Sequence, residues 1–134
     1  MGAPPISGVL HVSLSVTDVE RSKAFYNETL GLPVLRDVFE GEAFDGREVI
    51  VLAGLTGLCL QEHRGNRGGS FDPTRTGLDH IAFAVEGIDT LQAFATALTD
   101  AGVEHSGVRA LTQYGHFIEL RDPDGIQVEI QCLA

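Results

Sequence analysis

Basic residues are scarce: nine lysines and arginines stand against nineteen aspartates and glutamates, a formal net charge of -10 over 134 residues. Binding a phosphate backbone or an anionic membrane draws on clustered Lys and Arg, so neither nucleic acid nor a membrane surface is an expected partner. Cysteine is almost missing as well. Cys59 and Cys132 form no CxxC and lie in strand-like stretches, which excludes a disulfide framework and reads as two small buried hydrophobes in a reducing, cytoplasmic setting. No apolar run approaches the roughly 18 residues of a membrane span. The opening MGAPPISGVL lacks the basic region and apolar core of a signal peptide, and Ile6 stands where a myristoylation signal wants Ser or Thr.

What is present is the composition of a soluble globular domain, 43% hydrophobic and 21% charged, long enough to bury a core without disulfides or a structural metal. The acidic field suits a neutral or cationic small molecule, although solubility alone accounts for it more simply.

The chain repeats itself. HVSLSV at 11–16 and HIAFAV at 80–85 are nearly the same strand, 69 positions apart, and the same offset aligns Val16 with Val85, Ala24 with Ala93 and Phe25 with Phe94. Each copy passes from an alternating strand into a helical pattern. The first helix has Thr17 and Glu20 in capping-box spacing and is stopped by Gly31 and Pro33; the second turns Ile88, Leu91, Phe94 and Leu98 inward and ends at Gly102. Strand-like runs follow at 34–39, 48–53 and 58–61, then at 117–121 and 126–131. The Gly-, Pro- and Asn-containing stretch 64–77 has the composition of a connector, and its Arg64, Arg67 and Arg75 read as solvated loop charges. The organisation expected is one α+β domain of two βαβββ modules, 6–63 and 78–132, joined by the linker 64–77.

Strand residues alternate between faces, so parity sorts them. In the first strand Val12, Leu14 and Val16 oppose His11, Ser13 and Ser15; in the fifth, Ile81, Phe83 and Val85 oppose His80, Ala82 and Ala84. Leu58 and Leu60 oppose Cys59 and Gln61, and Val128 and Ile130 oppose Gln127, Glu129 and Gln131. The second face of each is small or polar rather than the Lys, Glu and Thr of a solvated sheet, which points to a cavity floor. Counting four residues from Gly57 reaches Gln61 and four from Gly125 reaches Glu129, so the repeat pairs His11 with His80 and Gln61 with Glu129. Two imidazoles, a carboxylate and an amide oxygen suit a divalent transition metal, Fe, Mn, Ni, Co or Zn, with positions left open for a ligand. The alternative is a hydrogen-bonded pocket without metal.

These stretches, HVSLSVTDVERSKAFYNETLGLPVL, GLDHIAFAVEGIDTLQAFATALTDAGV and RDPDGIQVEIQ, together resemble the vicinal oxygen chelate superfamily, the glyoxalase, bleomycin-resistance and ring-cleaving dioxygenase group. The resemblance implies paired βαβββ modules whose eight strands form a curled mixed-sheet cup, commonly in a homodimer. It also implies metal positions at His11, His80 and Glu129. On the fourth strand many metal-using relatives have Glu where this chain offers Gln61, with Glu62 as the alternative if the register differs by one.

Two functions follow. In the first, a metal enzyme of lyase, dioxygenase or antibiotic-modifying type polarises substrate oxygens, and Glu129, or Glu62 if it turns inward, moves a proton. If the last hairpin pairs tightly, Tyr114, His116 and Ile118 share the face of Glu129, making Tyr114 and His116 candidates for substrate contact or acid-base work, with an ordinary loop histidine as the alternative for His116. In the second, the roomy floor of Ser13, Ser15, Cys59, Ala82, Ala84 and Gln127 holds a bulky antibiotic without changing it.

Overall fold

The computed structural model describes residues 2–133. The chain divides into two compact units, the first ending at Arg67 and the second beginning at Gly68. Each is a βαβββ module.

In the first unit β1 (His11–Ser15) leads into α1 (Val19–Lys23), which runs on as a π-helical segment (Ala24–Thr29), followed by β2 (Val34–Glu40), β3 (Gly46–Ala53) and β4 (Thr56–His63). Its sheet has the order β1-β4-β3-β2, with β1 parallel to β4 and the other pairs antiparallel. The alternation of β1 and β4 turns Leu14, Leu58 and Leu60 to one side, where α1 packs on β3 and β4 and buries Val19, Phe25, Tyr26 and Leu30 together with Val49 and Val51. Each such side chain contributes about 1.5–3 kcal/mol relative to exposure. In the π-helical segment Leu30 N–H reaches Phe25 O at 3.0 Å, and the Phe25 and Tyr26 rings meet edge to face at 5.0 Å.

The start of α1 differs from the capping box expected at Thr17. Asp18 is the N-cap and its carboxylate accepts from Arg21 N–H at 3.1 Å, while Thr17 Oγ1 accepts from the Arg21 guanidinium at 2.9 Å. A carboxylate outcompetes a hydroxyl for the orphan amides at a helix start. A second carboxylate arrives from the sheet: Glu62 Oε2 accepts from Val19 N–H at 2.7 Å.

The second unit repeats the plan with β5 (Ile81–Ala84), α2 (Gly87–Asp100), β6 (Arg109–Ala110), a 3-10 turn (Thr112–Tyr114), β7 (Gly115–Arg121) and β8 (Gln127–Leu133) in the order β5-β8-β7-β6. Helix α2 packs on β7 and β8, burying Leu91 and Leu98 over Ile118, Val128 and Ile130, with Ile88 and Phe94 half-buried. The DPDG turn closes the last hairpin: Asp122 Oδ1 accepts from Asp124 N–H and Ile126 N–H at 2.8 and 2.9 Å, and Gly125 takes φ +79°. The α+β class and the paired modules are those the sequence implies. Among the described residues no helix is long and apolar enough to cross a membrane.

Candidate functional site on the open sheet faces

In each unit the helix covers one side of the sheet and the other side is open. On β5, Ala82 and Ala84 are exposed where Ile81 and Phe83 are half-buried. His80, just before the strand, is fixed from both ring nitrogens. Nδ1 lies 2.7 Å from Asp79 Oδ1, and Nε2 lies 3.4 Å from Glu129 Oε2. Glu129 sits on β8 with Ala82 as its cross-strand partner, and its Oε2 also accepts from Gln131 Nε2 at 2.7 Å. Hydrogen bonding to Asp79 raises the pKa of His80; partial burial opposes that, and the charges of Glu129, Asp79 and Glu119 add to it. An ionised Asp79 only accepts, so Nδ1 carries the hydrogen and the neutral ring turns its Nε2 lone pair toward the Glu129 carboxylate. A lone pair and a carboxylate oxygen at that distance call for a positive charge between them, a proton or a metal ion. The Asp79 contact has the form of the outer-shell carboxylate that orients a metal-binding imidazole.

In the first unit His11, Ser13 and Ser15 are exposed on the open face of β1. Gly57 is the cross-strand partner of His11, and a Cβ there would stand 3.2 Å from the His11 Cβ, so glycine leaves the imidazole its room. Cys59 pairs with Ser13 and Gln61 with Ser15. Burial pushes the Cys59 thiol up; a hydrogen bond from Ser13 opposes this and the Glu48 charge reinforces it. A thiol so held is protonated at neutral pH in the metal-free protein.

Three expectations are corrected by the strand register. First, His116 pairs with Cys132 and Ile118 with Ile130, on the helix-covered side, whereas Glu119 stands opposite Glu129. His116 therefore does not share the face of Glu129, and Tyr114 lies in the turn before β7, 60% exposed. Second, the repeat pairs Cys59, not Gln61, with Glu129: Ser13 partners Cys59 as Ala82 partners Glu129, and Gln61 corresponds to Gln131. The glycine count failed because Gly57 lies inside β4 while Gly125 precedes β8. Third, Glu62 faces the helix side, bound to Val19 N–H and to Arg47 at 3.4 Å, so it does not turn inward.

Two carboxylates missed in the sequence share the open faces. Glu48 on β3 pairs with Gln61 across the sheet and accepts from its Nε2 at 3.2 Å; Glu119 opposes Glu129. The signal lay in alternation within each strand: Val49 and Val51 on β3, and Ile118 and Leu120 on β7, form the buried side and leave Glu48 and Glu119 on the other. Within each unit, among the described residues, no three His, Cys, Asp or Glu side chains gather around one point as a metal-holding group.

Comparison with known proteins agrees with this geometry. Residues 8–130 match the Glyoxalase/Bleomycin resistance protein/Dioxygenase superfamily. The uncharacterized protein YaeR of Escherichia coli (strain K12) is 32% identical over 130 residues, covering 91% of this chain and 93% of YaeR. Among solved structures, a glyoxylase/bleomycin resistance protein/dioxygenase domain from Frankia sp. EAN1pec superposes with a TM-score of 0.83 at 33% identity, over 97% of this chain and 94% of that one. TnmS3, an antibiotic binding protein from Streptomyces sp. CB03234, superposes with a TM-score of 0.73 at 26% identity, over 98% and 100%. Two βαβββ units with polar and small residues on their open faces thus belong to a chain of the glyoxalase, bleomycin resistance protein and dioxygenase superfamily.

Proposed function

We propose that the protein is a divalent-metal-dependent enzyme of this superfamily, acting on a small molecule that approaches the metal through oxygen. The observation that carries the reading is the facing pair His80 Nε2 and Glu129 Oε2 at 3.4 Å, with the imidazole oriented by Asp79. In this reading His80 and Glu129 are ligands, and the donors the first unit offers are His11 and the amide oxygen of Gln61, whose nitrogen is engaged with Glu48. The mixed nitrogen and oxygen set suits Fe, Mn, Ni, Co or Zn. Such an ion, when bound, polarises a substrate oxygen and stabilises developing negative charge. The chain's own residues do the rest. Ser13, Ser15, Ala82 and Ala84 leave room over the floor for a ligand, Gln131 holds the Glu129 carboxylate in one orientation, and Glu48 is a carboxylate placed to take or return a proton.

Elemental analysis of the purified protein tests the reading. Near-stoichiometric transition metal in the wild type, lost in His80→Ala and in Glu129→Gln and reduced in His11→Ala, is expected. A wild type that is metal-free and cannot be loaded at neutral pH overturns it. That outcome would favour the second reading, sequestration of an antibiotic on the same faces, which the likeness to TnmS3 and the floor of exposed small residues support. In either case the protein is proposed to work in the cytoplasm as a homodimer. Exposed Val9, Leu10 and Leu55 beside β4 supply apolar surface for association, and light scattering at the dimer mass is the expected result.

A further inference from the structure

The second unit contains a pocket of about 450 Å³ lined by Glu104, His105, Ser106, Arg109, Glu119 and Arg121. Two of these polar groups are already engaged. The Ser106 hydroxyl accepts from Glu119 N–H at 2.9 Å and donates to Gly107 O at 2.7 Å. His105 accepts from Gly107 N–H at Nδ1, 3.0 Å, and its Nε2 lies 2.8 Å from Thr99 Oγ1, which itself donates to Ala95 O. With Nδ1 accepting and the Thr99 hydroxyl hydrogen spent on Ala95 O, Nε2 is the nitrogen left to donate to Thr99 Oγ1.

Four charged side chains remain, Arg109, Arg121, Glu104 and Glu119, and among the described residues none of them is in an ion pair. Arg121 donates only to Gly125 O at 3.1 Å. Lys23, Arg36, Arg47 and Arg64 in the first unit each meet a carboxylate, and so does Arg75, the third cation of the second unit. Arg67, in the connector, is like Arg109 and Arg121 in no ion pair among the described residues, but it lines no pocket with a second guanidinium. In a chain with so large an excess of acid, two guanidiniums without a carboxylate partner stand at the same pocket. Two glutamates without a cation stand there as well. A plain anion would meet the glutamates and a plain cation the arginines; a group carrying both charges satisfies all four.

We propose that this pocket binds the zwitterionic head of a small molecule, an α-amino acid group whose carboxylate lies with Arg109 and Arg121 and whose ammonium lies with Glu104 and Glu119. Glu119 stands one strand spacing, about 5 Å, from Glu129. The body of such a ligand would run from the pocket along the open face toward His80 and Glu129. That extension rests on the function proposed above, whereas the head-group site does not.

The test uses chelator-treated full-length protein and three related compounds, L-norvaline, N-acetyl-L-norvaline and L-norvalinamide, titrated while backbone amide shifts are followed by NMR. L-norvaline is expected to perturb Ser106, Arg109 and Arg121 saturably and to bind about 10-fold tighter than either derivative. Arg109→Gln and Arg121→Gln should erase the preference over the amide; Glu104→Gln and Glu119→Gln should erase the preference over the acetylated form. All four sites are on the surface or half-exposed, and the same spectra report folding. The proposal is overturned if N-acetyl-L-norvaline or L-norvalinamide binds as tightly as L-norvaline, or if those amides show no saturable response. Metal content measured on the same samples separates this failure from failure of the metal reading.

Discussion

The two units share strand order, helix placement and parallel-to-antiparallel pattern, yet they differ at the register position diagonal to the histidine that opens each repeat. Diagonal to His80 across the β5-β8 pair stands Glu129, and the two side chains meet. Diagonal to His11 across β1-β4 stands Cys59, a buried thiol held protonated. Duplication thus preserves the scaffold through its apolar face, where many residues act in concert, while the open face diverges one side chain at a time. Similar architecture in two halves is no guarantee of similar ligand chemistry.

The largest effects should be the same in both halves. Leu58→Ala in the first unit and Ile130→Ala in the second each remove a buried side chain from under a helix, and each should cost about 2–5 kcal/mol in denaturant unfolding. A negligible loss in one half only would break the equivalence of the two cores. Exchange of the diverged position sharpens the contrast: on the proposed metal reading Glu129→Cys should weaken metal binding by at least about 10-fold and Cys59→Glu should strengthen it by about 10-fold, as read by competition with a chelator of known affinity. If Cys59→Glu has no effect while its carboxylate is ionised, the diagonal position in the first unit is not a donor site.

The helices also differ. Helix α1 has both Asp18 and Glu62 on its first amides, whereas no side-chain cap bond is found at Glu86 before α2. Glu62→Gln should therefore lower stability by about 1 kcal/mol, with the loss shared between the Val19 bond and the half-exposed pair with Arg47. The smallest effect is a shift with pH. Because the folded-state pKa of His80 is raised, chiefly by Asp79, the stability from its imidazolium is fully present below the unfolded-state value and is lost as pH rises through the folded one. In chelator-treated Asp79→Asn the His80 resonances should titrate at lower pH, and the corresponding slope of melting temperature with pH should flatten.

Much of the fold was legible because repeated apolar periodicity is written in many residues. The helix Gly87–Asp100 and the strands around Leu58 and Val128 follow from it directly. Strand β6 was not legible, since two exposed residues, Arg109 and Ala110, carry no periodicity. At the site, parity within a strand placed His11, Ser13, His80 and Glu129 on their faces, but parity says nothing about which residue of a neighbouring strand stands opposite. That is set by where pairing starts. Gly57 inside β4 and Gly125 before β8 look alike in sequence and begin different counts, which misassigned the partner of Glu129; the tightly paired hairpin put His116 on the wrong side, because β7 and β8 pair with Glu119 opposite Glu129. Glu62 was ambiguous for a related reason: only its bond to Val19 N–H shows which side of β4 it takes.

The contacts of Glu129 carry one last consequence. Gln131 donates to Oε2, the oxygen that faces His80 Nε2, so one amide holds the group against spinning about its terminal bond. An arriving cation would find a fixed compass bearing instead of a free rotor. Removing that hold by Gln131→Ala would leave His80 and Glu129 in place and set the carboxylate turning, which on the proposed metal reading blunts its aim.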